Sequence, residues 1–235
     1  MEFKIKIERV GLIAEGTTSV FFEKPVGLEF RAGQFMEWFL PEVTPNDSRG
    51  LRREFSIASA PSHDYLEVAF RNGESAFKKA LRSFEIGKEI RAGGPYGSFV
   101  LPKKTDRPLV LLAGGIGVTP FRSMVWEAQL QPTEHKIKLF HFDSVSSRMP
   151  FLDEWQGEWR KEIEIIPVVS DESDVWQGEI GMVSEELLRK YSVLSDSPIF
   201  FAAGPPGFVA KAWQVLKKIG VDEDDIRTEE FPGYQ

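Results

Sequence analysis

One stretch limits the choice of fold more than any other: Leu109-Val110-Leu111-Leu112-Ala113 passes without a break into Gly114-Gly115-Ile116-Gly117-Val118-Thr119-Pro120. An unbroken apolar run of this length suits a strand buried on both faces, as in a parallel sheet, and does not suit a strand with one wet face. Pro120 is suited to a first helical turn, and helical spacing continues to Leu130. Strand, glycine turn and helix in that order open an α/β unit. Such a turn lets a phosphate-bearing ligand approach helix N-terminal amides. The spacing G-x-G-x-x-G is absent, so a tight strand-to-helix passage is the competing interpretation.

The C-terminal half repeats this pattern. Residues 137–142, 163–169, 199–203 and 226–231 have strand character, and residues 151–155, 184–191 and 208–219 have helical spacing. The pattern predicts a doubly wound, five-stranded parallel sheet. Ligands of such sheets lie beyond the carboxyl ends of the strands, so Ala203-Gly204-Pro205-Pro206-Gly207 should share a rim with the Gly114 turn.

The N-terminal half follows barrel grammar. Phe3, Ile5 and Ile7 alternate with charges, and residues 20–22, 35–40, 65–71 and 88–92 form further strands, with Gly11, Gly16, Gly27 and Gly33 expected at turns. Ser75 is expected to cap a short helix that turns Ala76, Phe77, Ala80 and Leu81 inward, and residues 93–99 are expected to form a glycine-rich turn. A proline-bracketed segment, residues 102–108, is the expected linker, dividing the chain into residues 1–103 and residues 104–235.

Composition removes several function classes. The chain has no cysteine, which excludes disulfides, thiolate-bound zinc, a cysteine nucleophile and an iron-sulfur cluster on its own thiolates. A net charge of -7 argues against a nucleic-acid binder. His63, His135 and His141 lack metal-ligand spacing, so no metal is expected, and neither a G-x-S-x-G elbow nor an H-E-x-x-H motif occurs. The longest apolar run is too short to span a membrane, and the alternating N-terminus is unlike a signal peptide, so a cytoplasmic protein is expected. Lys78, Lys79 and Arg82 form a basic island, expected as a solvated helix face or a dock for an acidic redox partner.

Within residues 51–61, Arg53 can fork onto a phosphate, Phe55 can lie on a flat ring and Ser56 can hydrogen-bond a ring nitrogen or carbonyl, a grouping that suits a flavin nucleotide. Taken alone, the stretch is better explained as an ordinary barrel strand beginning in arginine. Asp143 follows the second parallel strand, where an acidic residue favours a ribose diol and repels a 2'-phosphate; Arg148 is near enough in sequence to reach a phosphate, and a capping role for Asp143 is the alternative.

In order, Arg53-Glu54-Phe55-Ser56, Gly73-Glu74-Ser75, Gly94-Pro95-Tyr96-Gly97, the Gly114 to Pro120 turn, Gly204-Pro205-Pro206 and Glu229-Glu230-Phe231-Pro232-Gly233-Tyr234 resemble the ferredoxin-NADP reductase family in its compact form. The resemblance implies a six-stranded antiparallel barrel that binds FAD, followed by a domain that binds a nicotinamide dinucleotide. It implies that Arg53 holds the FAD diphosphate, with Glu54 beside it, that Phe55 stacks on the isoalloxazine and that Ser56 bonds near its reactive nitrogen. Gly73, Glu74 and Ser75 would hold flavin phosphates. Gly115, Thr119, Gly204 and Pro205 would place the nicotinamide, while Glu229 and Phe231 close the pocket, with Ser56 and Glu229 as the catalytic pair. Phe55 stands where many members carry Tyr, and Ala203 where many carry Cys. The implied activity is an FAD-dependent NAD(P)H oxidoreductase, with a lean to NADH from Asp143, passing electrons to a separate protein such as a ferredoxin or an oxygenase component. An NAD(P)H:flavin oxidoreductase and a flavin-bearing electron-transfer component of a larger complex are the alternatives.

Overall fold

The computed structural model describes residues 1–103, 106–131, 134–171, 176–191, 193–194 and 196–232. Its first half is a six-stranded antiparallel sheet of β1 (Glu2–Ala14), β2 (Thr17–Glu23), β3 (Phe35–Phe39), β4 (Arg52–Ser56), β5 (Tyr65–Arg71) and β6 (Glu89–Tyr96), in the order β4-β3-β6-β1-β2-β5. Alternation explains the burial: Ile5 and Ile7 are inside, and Lys4 and Lys6, which alternate with them, are exposed. Just past β4, the Ala58 N–H donates to the Glu67 carbonyl of β5 at 2.7 Å, joining the two ends of the sheet into a barrel. Phe22 and Trp38 stack at 4.4 Å in its core, and helix α1 (Ala76–Ser83) adds Phe77 and Leu81.

Two glycine segments differ from expectation. Gly11 lies within β1, paired with Ser19, because β1 runs on through an irregularity instead of turning. Gly93 to Tyr96 continue β6, and Tyr96 pairs with Phe35, so the expected turn at residues 93–99 is mostly strand.

The second half is a parallel sheet of β7 (Leu109–Gly114), β8 (Ile137–Asp143), β9 (Ile163–Val169), β10 (Glu179–Ile180), β11 (Ile199–Gly204) and β12 (Ile226–Glu230), ordered β10-β9-β8-β7-β11-β12. The two-residue β10 adds an edge to the five strands read from sequence. Every residue of β7 is buried, because Leu109, Leu111 and Ala113 face one core while Val110 and Leu112 face another. Helices α2 (Val118–Leu130) and α3 (Leu152–Trp155) cover the first face; α4 (Glu185–Lys190) and α5 (Pro206–Lys218) cover the second. Ser184 caps α4 by accepting the Leu187 N–H at 3.2 Å.

The two sheets share one core, since Ala32, Ala58, Ala69, Phe99 and Leu101 pack in the same cluster as α2 and β7. A buried polar knot joins them. Arg122 of α2 donates to the Ala58 carbonyl at 2.8 Å and pairs with Glu67 and Glu154, each at 2.8 Å, while the Ser123 hydroxyl donates to the Ser59 carbonyl at 2.7 Å. The expected linker includes residues 104 and 105, which lie outside the described residues.

Candidate active site between the two sheets

The order of the parallel strands reverses around β7, which opens a crevice beyond the ends of β7 and β11. Both glycine turns sit there and touch. A methyl group on Gly117 would lie 2.4 Å from the Ala203 carbonyl oxygen, and one on Gly204 would lie 2.9 Å from that of Gly114. Only glycine lets the two backbones approach this closely. The Gly115 carbonyl accepts a hydrogen bond from His141 Nε2–H at 2.9 Å, and His141 Nδ1 accepts from the Trp155 indole at 3.1 Å. Burial lowers the pKa of His141 to about 4, so a neutral ring pins the turn. Thr119 serves the same turn, its buried hydroxyl donating to the Ile116 carbonyl at 3.1 Å, and it lines neither cleft described next.

A cleft of about 790 Å³ runs between barrel and sheet. Gly73, Glu74 and Ser75 line it on the barrel side, and Gly115, Asp143 and Pro205 line it opposite. A second cleft, of about 470 Å³, is lined by Glu54, Phe55, Ser56, Glu229 and Phe231. Arg53 borders both. Folding therefore gathers the widely separated sequence motifs into two adjoining spaces, apart from the Gly94 segment, which lines neither.

Arg53 is 6% exposed. Its Nη2 donates to both Asp47 oxygens at 2.7 and 2.6 Å and to Ser75 Oγ at 3.0 Å, and Nη1 donates to the Arg52 and Gly50 carbonyls. Hydrogen bonds from the Arg49 N–H and Ser75, with the Arg53 charge, outweigh desolvation and hold the Asp47 carboxyl below its ordinary range. Ser75 stands at the N-cap position of α1, yet its hydroxyl makes no capping bond. Asn46 does that work, accepting the Ala76 N–H at 2.7 Å and donating to the Glu74 carbonyl at 2.9 Å. The expected cap fails because Arg53 and Asp47 engage the serine hydroxyl.

Phe55 packs inward on Phe70, with ring centroids 5.3 Å apart, and is only 7% exposed. Ser56 is equally enclosed. Among the described residues, the buried Oε2 of Glu229 has no hydrogen-bond partner. Burial first, and then repulsion from Glu54, push its carboxyl up to about 7. The Phe231 N–H donates to the Gly204 carbonyl at 2.9 Å, tying the wall of the smaller cleft to the glycine turn. Gly233 and Tyr234, the end of the last motif, lie outside the described residues.

The sequence expectation leaves Arg71 out of the cleft and puts Lys78 on a solvated face or a partner dock, and both line it. Arg71, at the end of β5, reaches across to pair with Asp143 and also donates to Thr17 Oγ1 at 2.6 Å and the Arg148 carbonyl at 2.5 Å. Both members of the pair are nearly buried, with side chains 13% and 7% exposed. Asp143 is thus held by the other half of the molecule. Lys78 corrects the expectation of a solvated basic face: it is 8% exposed and its Nζ donates to the Arg71 carbonyl at 3.0 Å. The detectable signal was a cation set between the apolar positions Phe77 and Leu81, on the inner face of an amphipathic helix.

Comparison with known proteins agrees with this geometry. Residues 111–214 match the family described as the oxidoreductase NAD-binding domain. A component of the Na(+)-translocating NADH-quinone reductase of Idiomarina loihiensis is 26% identical over 185 residues, 75% of this chain and 44% of that protein. The chain spans about half the length of the curated relatives it matches. The flavohem-like FAD/NAD-binding domain of a Vibrio cholerae nitric oxide dioxygenase superposes with a TM-score of 0.80 at 18% identity, covering 97% of this chain and 98% of that one. A ferredoxin NADP+ reductase from Neisseria gonorrhoeae with bound FAD and NADP superposes at 0.77 with 22% identity, covering 97% and 98%. Its parallel sheet thus matches the NAD-binding domain family over residues 111–214, and the chain as a whole has the two-part fold of these ferredoxin-NADP reductase-like FAD/NAD-binding structures.

Proposed function

We propose that the protein is an FAD-dependent NAD(P)H oxidoreductase that passes electrons to a separate acceptor protein. The observation that carries this is the meeting of two clefts at the buried guanidinium of Arg53, with Glu229 lining the smaller one. A flavin dinucleotide fits this donor set: cations where a diphosphate would lie, aromatic walls at Phe55 and Phe231, and a polar Ser56 beside them. When bound, FAD supplies a centre that takes a hydride from nicotinamide and releases electrons singly or as a pair.

The chain's own residues position and exclude. Arg53 and the backbone of Gly73, Glu74 and Ser75 would hold the flavin phosphates, Phe55 and Phe231 would bound the ring, and the paired glycine turns with Pro205 would seat the nicotinamide dinucleotide. With its pKa raised to about 7, the Glu229 carboxyl would be able to give or take a proton at the wall of the smaller cleft. NADH is favoured over NADPH, since Asp143 places an acidic group at the end of β8. We divide the chain at residues 103 and 104 and place its reaction in the cytoplasm; among the described residues no helix is long and apolar enough to cross a membrane.

The test is NADH-driven reduction of a one-electron acceptor such as ferricyanide by FAD-loaded protein freed of excess flavin. Turnover is expected. Absence of turnover with either dinucleotide overturns the proposal, and turnover only on addition of free FMN would instead identify a flavin-reducing enzyme.

A further inference from the structure

Among the described residues three line both clefts, and all three are cations: Arg49, Arg53 and Lys78. They come from separate elements. Arg49 lies in the loop before β4, where its guanidinium donates to the Pro232 carbonyl at 2.8 Å; Arg53 is on β4, and Lys78 is on α1. Lys78 extends from the apolar face of its helix between the Phe70 ring, 6.0 Å from Nζ, and the Arg71 carbonyl. Burying an ammonium beside two guanidinium groups costs free energy, and Asp47 is the carboxylate set against this junction, engaged by Arg53. The described residues that the two clefts share are thus all cationic, an arrangement suited to an anion crossing from one cleft to the other.

We propose that Lys78, with Arg49 and Arg53, forms a cationic waist that selects a diphosphate-bridged flavin dinucleotide spanning both clefts over flavins lacking the diphosphate, with Lys78 as a specificity-determining residue. The inference rests on the flavoprotein function proposed above. A dinucleotide puts its two phosphates at mid-length, so its ends can occupy the two clefts while its charge lies at the waist. FMN has a single terminal phosphate, and riboflavin has none.

The charges acting on Lys78 are Asp47 and Arg49 from the loop and Arg53 from β4; it shares the larger cleft with Arg71, Glu74, Asp143 and Arg148 and the smaller with Glu54, Glu229 and Glu230. Burial, then Arg49 and Arg53, lower its pKa to about 8 in the flavin-free protein. A diphosphate beside it restores the charged form. FAD binding should therefore take up a proton above pH 8, and FAD affinity should fall as the pH rises through that range.

The experiment measures equilibrium binding of FAD, FMN and riboflavin by fluorescence quenching to the wild type, Lys78→Met and Lys78→Arg. Lys78→Met should lose FAD affinity by roughly 10- to 100-fold, the loss of one charge-assisted hydrogen bond, and keep riboflavin affinity within about 2-fold. Lys78→Arg should keep FAD affinity and lose its decline above pH 8. Unchanged FAD binding in Lys78→Met, an equal loss for FAD and riboflavin, or a pH decline that persists in Lys78→Arg overturns the proposal alone. Failure of the wild type to bind any flavin overturns the proposed function as well.

Discussion

Replacing Glu229 by glutamine should change how stability depends on pH, in a direction opposite to that of an ordinary paired carboxylate. The Glu229 carboxyl is pushed from 4.5 up to about 7 by burial and by Glu54, so the folded state keeps a proton that the unfolded chain releases. Below pH 4.5 both states are protonated and the site is neutral in cost. Between pH 4.5 and 7 the unfolded chain binds fewer protons, so stability falls as pH rises, and above pH 7 the full penalty applies. A shift of this size corresponds to about 3 kcal/mol at 1.36 kcal/mol per unit. Glutamine cannot titrate, so the difference in unfolding free energy between Glu229→Gln and the wild type should move in the variant's favour by about 3 kcal/mol between pH 4 and pH 8. Comparing the two pH values cancels any constant effect of the amide. Urea unfolding of the flavin-free proteins at pH 4, 6 and 8 measures it, and parallel curves for the two proteins would refute the assignment. In the FAD-loaded enzyme, the same variant should lose a titration near pH 7 from its activity profile.

Three further outcomes follow from the geometry. Arg122→Met strips the counter-charge from buried Glu67 and from half-buried Glu154 and should cost about 3–5 kcal/mol in urea unfolding; a loss below ~1 kcal/mol would mean the knot is energetically idle. Asp143→Asn removes a negative charge and leaves Arg71 uncompensated, so the ratio of kcat/KM for NADPH over NADH should rise by about 10-fold or more, and an unchanged ratio would remove Asp143 and Arg71 from dinucleotide selection. Gly117→Ala forces a methyl against the Ala203 carbonyl and should lower both stability, by roughly 1–3 kcal/mol, and dinucleotide affinity; wild-type values for both would show that the turns need not touch.

Much of this architecture is legible in the chain because period and burial coincide. The unbroken apolarity of Leu109 to Ala113 and the alternation of Phe3, Ile5 and Ile7 each report a different environment, and the two sheets appear where those patterns change. The linear signal fails where a polar group chooses among distant partners. Nothing near Ser75 reveals that Arg53 and Asp47 will take its hydroxyl and leave the helix cap to Asn46. Nothing near Asp143 reveals an arginine from a barrel strand, because that pair forms only when the two halves dock. Glycine misleads for a related reason: Gly11 and Gly93 carry the composition of turns, but cross-strand pairing keeps both in extended strands. Lys78 was readable in principle, since a charge on the apolar side of a helix needs a purpose, but that purpose lies in a cleft that exists only in three dimensions.

The central claim is that the two adjoining clefts hold a flavin that a nicotinamide dinucleotide can reach across the glycine turns. Anaerobic titration of FAD-loaded protein with NADH, followed by visible absorbance, tests it directly. The account predicts that FAD binds stoichiometrically and that about one equivalent of NADH bleaches its oxidised band. A protein that retains FAD but leaves it oxidised with excess NADH and with excess NADPH would contradict it.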